Sequence, residues 1–149
     1  MIIIHPNELL RKKSETVSAE EIKNGEIKKL IAEMKKTLKH ADGVGLAAVQ
    51  IGVLKRVILV EVDGTAHAFI NPKITRKSWK KISIEEGCLS VPGKNGYVKR
   101  SAKIAVDALD ENGKEVKLKA EELTSIIFQH EIDHTNGILF IDKLIKIKK

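Results

Sequence analysis

Apolar residues recur along this chain first at helical spacing, then at strand spacing, then at helical spacing again. From Glu26 to Ala41, Ile27, Leu30, Ile31, Met34 and Leu38 are separated by Lys and Glu, and Asp42-Gly43 ends the pattern, which predicts a helix. Just upstream, Ser18 and Glu21 have the spacing of a capping box, but Asn24-Gly25 interrupts it and the stretch reads as a turn. The middle of the chain is β-like. Strands are expected over Arg56–Asp63, Ala66–Asn71 after an Asp63-Gly64 turn, Ile74–Trp79, Ile82–Ile84, Tyr97–Val98, Lys103–Leu109 and Glu115–Lys119, with Asn112-Gly113 turning the last hairpin. A second helix is expected over Glu121–Asn136, with Leu123, Ile126, Ile127 and His130 on one face toward the core and Gly137 just past its end. The order predicts an α+β fold of antiparallel sheets packed around the C-terminal helix, with one N-terminal helix, as a single domain over residues 1–149.

Composition narrows the picture. Aromatics are only 3% of the 149 residues, so Ile, Leu and Val must build most of the core. The net charge of +7 comes mostly from scattered Lys, which reads as a solvated surface, with a basic patch facing nucleic acid or a ribosome as the other reading. The single cysteine, Cys88, excludes an intramolecular disulfide and suits a reducing compartment. His5-Pro6 cuts the opening Ile run far short of a signal-peptide core, and no run approaches the ~18 apolar residues of a membrane span. The expected location is the cytoplasm.

Candidate chemistry centres on His130-Glu131-Ile132-Asp133-His134, which sets two imidazoles four residues apart on one helix face with a carboxylate between them. Both rings can reach one metal ion, and Glu131 can then take a proton from water activated there. A catalytic site of this kind needs a third protein ligand. The position where a longer zinc-protease motif would supply His is Phe140, and the only acid after His134 is Asp142, so the ligand must come from upstream. Cys88 is the best candidate, in a loop shaped by Gly87 and Pro92, although a lone Cys is more often a small buried hydrophobe.

Gly43-Val44-Gly45-Leu46-Ala47-Ala48 matches the dinucleotide pattern G-x-G-x-x-A, with Asp63 twenty positions past Gly43. That fingerprint must follow a strand and open a helix, whereas this one follows a helix and leads toward a strand. The glycines read better as a loop whose backbone approaches a ligand closely, with Gln50 as a candidate oxyanion donor beside it.

Taken together, GVGLAAVQ at Gly43–Gln50, EGCLS at Glu86–Ser90 and QHEIDH at Gln129–His134 resemble, in order, the three motifs of the peptide deformylases. The likeness spans nearly the whole chain, because His5-Pro6 through Leu10-Arg11 also resembles the family's opening. The resemblance implies removal of the N-formyl group from the initiator methionine of new polypeptides. It implies that Cys88, His130 and His134 hold one divalent metal, iron(II) in many members with zinc, nickel or cobalt able to take its place, and that Glu131 is general base and acid. By the same resemblance Gln50 and the Leu89 N–H hold the oxyanion, and Gly45 hydrogen-bonds substrate through its backbone. The implied partners are N-formylated nascent peptides, with a weak ribosome contact through basic surface, no membrane and no specific DNA.

Three departures stand out: Thr135 where the family usually has Leu, with looser packing beneath the helix expected; Val49 where Pro is frequent; and a short basic end, Leu144–Lys149, where many members have a further helix. Two other functions stay open, a different metal-dependent amide deacylase on the same ligands and a basic binding domain whose His and Cys are structural. Outside the motifs, Asp133 is expected to orient a basic group or a ligand ring, Glu86 and Arg100 are an open question as a buried ion pair, Trp79 is expected in the core or on a strand face, and His5, His40 and His67 are expected at the surface or in structural roles.

Overall fold

The computed structural model describes residues 1–146, so Ile147, Lys148 and Lys149 of the basic end lie outside the described residues. Its two long helices enclose an antiparallel sheet. Helix α2 spans Glu26–Ala41 and buries the residues at helical spacing. Asp42, in the left-handed region at φ 53°, donates its N–H to the Leu38 and Lys39 carbonyls and stops the helix. A short helix, α1 (Ala19–Lys23), precedes it where the sequence reads as a turn. The capping box forms, with Ser18 Oγ accepting from the Glu21 N–H and the Glu21 carboxylate accepting from the Ser18 N–H, and it sustains one helical turn before Gly25 redirects the chain.

Strands β1 (Gly45–Ala47), β2 (Val57–Val62), β3 (Thr65–Lys77), β6 (Lys103–Leu109) and β7 (Glu115–Glu121) form a five-stranded sheet in the order β1-β2-β3-β6-β7. Strands β4 (Lys81–Cys88) and β5 (Val91–Ser101) pair as a separate hairpin. The two strands expected between Ala66 and Trp79 are one, because the chain passes Asn71-Pro72 with a register shift instead of a break. Asn71 adopts φ 51°, and its amide both accepts from the Val17 N–H and donates to the Val17 carbonyl, each at 2.9 Å, so the bulge also pins the N-terminal segment. Trp79 falls beyond the end of β3, in the turn to β4, and is 99% exposed. The core or strand-face position expected for it is corrected: the strand ends two residues before it.

Helix α3 (Glu122–Thr135) runs between the sheet and the β4–β5 hairpin, packing on β1, β2, β5 and β7. It is buried on several sides, and polar Ser125, Gln129, Glu131, His134 and Thr135 are buried with its apolar residues. The Gln129 amide accepts from the Ser101 N–H and donates to the Ser101 carbonyl, which fixes α3 to the end of β5. Thr135 does not loosen the packing. Its hydroxyl donates to the Ile132 carbonyl and accepts from Arg56 Nη1 at 3.0 Å, so the polar replacement is satisfied. Gly137 follows the helix at φ 74°, where a Cβ would lie 2.3 Å from the Arg11 carbonyl oxygen. Leu139 and Phe140 then fold back onto Leu10, Val91 and Val98.

Arg11 grips Asp142 through both guanidinium nitrogens and ties the two ends of the chain together. The hydrogen bond from Arg11 holds the Asp142 carboxyl below its usual value of 3.8. A folded-state value below the unfolded one stabilises above about pH 3.8 and is lost as pH falls through the folded value. Asp142→Asn is therefore expected to cost under about 1 kcal/mol at pH 7, since both side chains are at least a third exposed. Urea midpoints of variant and wild type should draw together as pH falls below 3.8 and through the folded-state value.

Candidate active site

Between β1, β4 and α3 lies a cleft of about 340 Å³ lined by Gly45, Gln50, Cys88, Leu89, His130 and Glu131 among others. β1, missing from the expected strands, forms one wall. It is an edge strand, and Glu61 donates its N–H to the Val44 carbonyl at 2.9 Å. By strand alternation the N–H and C=O of Gly45 therefore turn away from β2, toward the cleft. On the opposite wall, Ile145 donates to the Tyr97 carbonyl from outside the hairpin, so Glu85, opposite Tyr97, turns its own backbone groups into the cleft, as does Gly87. Two backbone edges, unpaired among the described residues, thus face each other.

At the floor, ligand atoms of Cys88, His130 and His134 all lie within 4.8 Å of one another. Cys88 Sγ is 3.4 Å from His134 Nε2. A sulfur and a nitrogen sharing one tetrahedral ion stand about 3.6 Å apart, from bonds of ~2.3 and ~2.05 Å. The Cys88–His134 pair has the spacing of two donors to one ion, and His130 lies close enough to join them. His130 Nδ1 lies 2.9 Å from Glu86 Oε1, which directs its Nε2 to the same point, and its ring stacks on Phe140 at 6.1 Å. Phe140, where a protease would have its third His, instead supports the first.

Burial and close charges shift the titration of His130, Glu131 and His134 in different directions. Burial opposes charge on His130, but hydrogen bonds to Cys88 and Glu86 and the charges of Glu131 and Cys88 push it up to about 10. Burial and the neighbouring positive charges of His130 and Arg100 hold His134 well below its usual value. Burial raises Glu131 to about 7. Glu131 Oε1 and His134 Nδ1 are buried with no protein partner among the described residues. A Cβ on Gly45 would fall 2.5 Å from Glu131 Oε2, so glycine leaves the carboxylate its room.

Arg100 closes the open question about Glu86. It donates to both Glu86 oxygens at 2.9 Å and to Asp133 at 2.6 Å, and Lys143 completes the Asp133 contacts. The chain Asp133–Arg100–Glu86–His130 holds the His130 ring through three side chains. Burial disfavours charge on Glu86, and the bonds to His130 and Arg100 outweigh it and keep its carboxyl below the usual value. Glu86→Gln should weaken metal binding about 10–100-fold, measured by competition with a chromophoric chelator.

The Gln50 amide is clamped. Its oxygen accepts from the Ala47 N–H at 2.9 Å, and its nitrogen donates to Ser90 Oγ at 3.0 Å with Cys88 Sγ at 3.7 Å. Ser90, fully buried, was not singled out from the sequence, although it closes the Glu86–Ser90 motif. Nor was the apolar wall. Leu123, Ile126 and Ile127 line the cleft with Ile84; Ile126 and Ile127 are buried as expected, whereas Leu123 is 53% exposed, so the core-facing side of α3 also bounds the cleft.

A half-buried thiol and two imidazoles around one point, a carboxylate beside them and an open cleft define a metal-dependent hydrolase of the amide-cleaving kind. The chain belongs to the polypeptide deformylase family, whose match covers residues 1–149. It is 47% identical to the peptide deformylase of Thermodesulfovibrio yellowstonii over 97% of this chain and 88% of that protein. The crystal structure of peptide deformylase from Thermotoga maritima superposes with a TM-score of 0.93 at 36% identity, covering 98% of this chain and 97% of that one. A Met-Ala-Ser-bound class I type b peptide deformylase from Acinetobacter baumannii superposes with a TM-score of 0.92 at 33% identity, covering 97% of each chain.

Proposed function

We propose that this chain, as one domain over residues 1–149, removes the formyl group from the N-terminal formyl-methionine of new polypeptides. Cys88 Sγ and the Nε2 atoms of His130 and His134 are assigned as the ligands of one divalent cation. When bound, that cation supplies a Lewis acid that makes water a usable nucleophile near neutral pH. Glu131 takes the proton as water adds to the formyl carbon, a task suited to a buried carboxyl raised to about 7. Gln50 Nε2 and the Leu89 N–H donate to the oxyanion that forms on the formyl oxygen. Glu131 then returns its proton to the departing nitrogen, and formate and a free amino terminus result.

The substrate adds as an extended strand between the Gly45 edge and the Glu85–Gly87 edge. Its methionine side chain meets Ile84, Leu123, Ile126 and Ile127. The Met-Ala-Ser ligand of the Acinetobacter baumannii relative supports a peptide in this cleft. The observation that carries the reading is the placement of Cys88, His130 and His134 around one point beside the unpartnered Glu131.

Iron(II) is the proposed working ion, with zinc, nickel or cobalt accepted by the same donors. The proposed setting is the cytoplasm, with weak ribosome association through the positive surface. No described helix is long and apolar enough to cross a membrane. Anaerobically purified protein should release formate from a formyl-Met-Ala peptide. Hydrolysis of acetyl-Met-Ala with formyl-Met-Ala left intact would establish the other deacylase instead.

A further inference from the structure

Trp79 is the only tryptophan of the chain and is 99% exposed, so it contributes almost nothing to the core. Its position is nevertheless built. Ser78 donates its N–H to the Lys103 carbonyl at 2.9 Å and accepts from the Lys103 N–H at 3.0 Å through its hydroxyl. The same hydroxyl donates to the Lys80 carbonyl, which also accepts from the Ala102 N–H, both at 2.9 Å. The backbone on either side of the ring is held against the β5–β6 connection, and the ring itself faces solvent.

Beside this turn runs an open groove of about 550 Å³ lined by Arg76, Lys77, Ser78, Lys103, Ala105 and Lys119 among others. Arg76, Ala105 and Lys119 are cross-strand neighbours in register, with Lys73, Asp107 and Lys117 in a row alongside. These rows stand roughly 7 Å apart, two residues of strand. The small Ala105 between Arg76 and Lys119 leaves the groove open between two cations. Of the facing carboxylates, Glu121 lies 3.8 Å from Lys103 with both exposed, and Asp107 lies between Lys73 and Lys117. Positive charge dominates the groove that adjoins the turn.

We propose that the β3–β4 turn and the adjoining solvent face of the sheet bind single-stranded RNA, with Trp79 stacking on an unpaired base and Arg76, Lys77 and Lys119 meeting phosphates. An aromatic face beside a cationic groove matches a polyanion that also carries flat rings, and stacking of this kind tolerates any base. One exposed Trp offers too little apolar area to seat in a lipid surface. Ile84 and Glu85, farther along β4, line the catalytic cleft, so bound RNA would lie about 15–20 Å from it and leave it open. The proposal does not depend on how the cleft is assigned.

The test titrates the metal-loaded full chain with a twelve-nucleotide oligouridylate, following the intrinsic fluorescence of the sole tryptophan and the anisotropy of labelled RNA. Saturable quenching is expected, with affinity falling about 20- to 50-fold between 50 and 200 mM salt for three to four phosphate contacts. Trp79→Ala should weaken RNA binding about tenfold or more with formate release unchanged. The double variant Arg76→Glu, Lys119→Glu should flatten the salt dependence. The proposal is overturned if there is no quenching at 50 mM salt, or if Trp79→Ala binds labelled RNA as tightly as wild type. It is equally overturned if polyglutamate or phosphatidylglycerol vesicles of matched charge quench the ring as strongly as RNA.

Discussion

Glu131→Gln is expected to lower formate release by about 10²–10⁴-fold while metal content stays at the wild-type level. The substitution keeps shape and size in a place with little room, since Glu131 is buried and Gly45 abuts it. What it removes is the ability to accept a proton and give it back. Burial holds the Glu131 carboxyl near 7, where accepting and donating a proton are both accessible. An amide at that atom can do neither, so kcat should collapse with KM little changed. Elemental analysis of the same preparation separates this result from loss of the ion. Activity within a few-fold of wild type would remove Glu131 from the proton path.

Gln50→Ala is the second large effect, with kcat expected to fall about 10²–10³-fold and KM to move far less. Gln50 Nε2 is held by Ser90 and its oxygen by Ala47, so the donor is fixed before substrate arrives. An alanine there also leaves the Ala47 N–H and the buried Ser90 hydroxyl without their partner, which should cost about 1–3 kcal/mol of stability. A thermal melt measured beside the kinetics distinguishes the two consequences. A variant that melts earlier but turns over normally would make Gln50 a purely structural clamp.

Much of this arrangement was legible in the order of residues, for identifiable reasons. Helix α2 follows from strict periodicity, and the Asp63-Gly64 hairpin from a two-residue turn in which both residues take positive φ. The Cys/His/His convergence was reached by requiring a third ligand, which local pattern does not contain; the fold brings Cys88 to His134 across 46 positions. What escaped was set by tertiary context. Three-residue β1 is too short to show a period and exists because β2 pairs with it. The Leu123, Ile126 and Ile127 face has the spacing of any core-facing helix, and only the position of β4 opposite makes it a cleft wall. Trp79 has the composition of a strand residue, yet Ser78 turns the chain and leaves its ring outside. Thr135 looked like a defect because Arg56, its partner, lies 79 positions away.

One proposed arrangement underlies the rest: Cys88, His130 and His134 around a common ion, with Glu131 at its side. X-ray absorption at the metal edge of the anaerobically loaded protein tests it most directly. One sulfur at about 2.3 Å and two nitrogens at about 2.0–2.1 Å per ion are expected for the zinc-loaded form, with the sulfur lost in Cys88→Ala. A metal shell of nitrogen and oxygen alone in the wild-type protein would contradict the account.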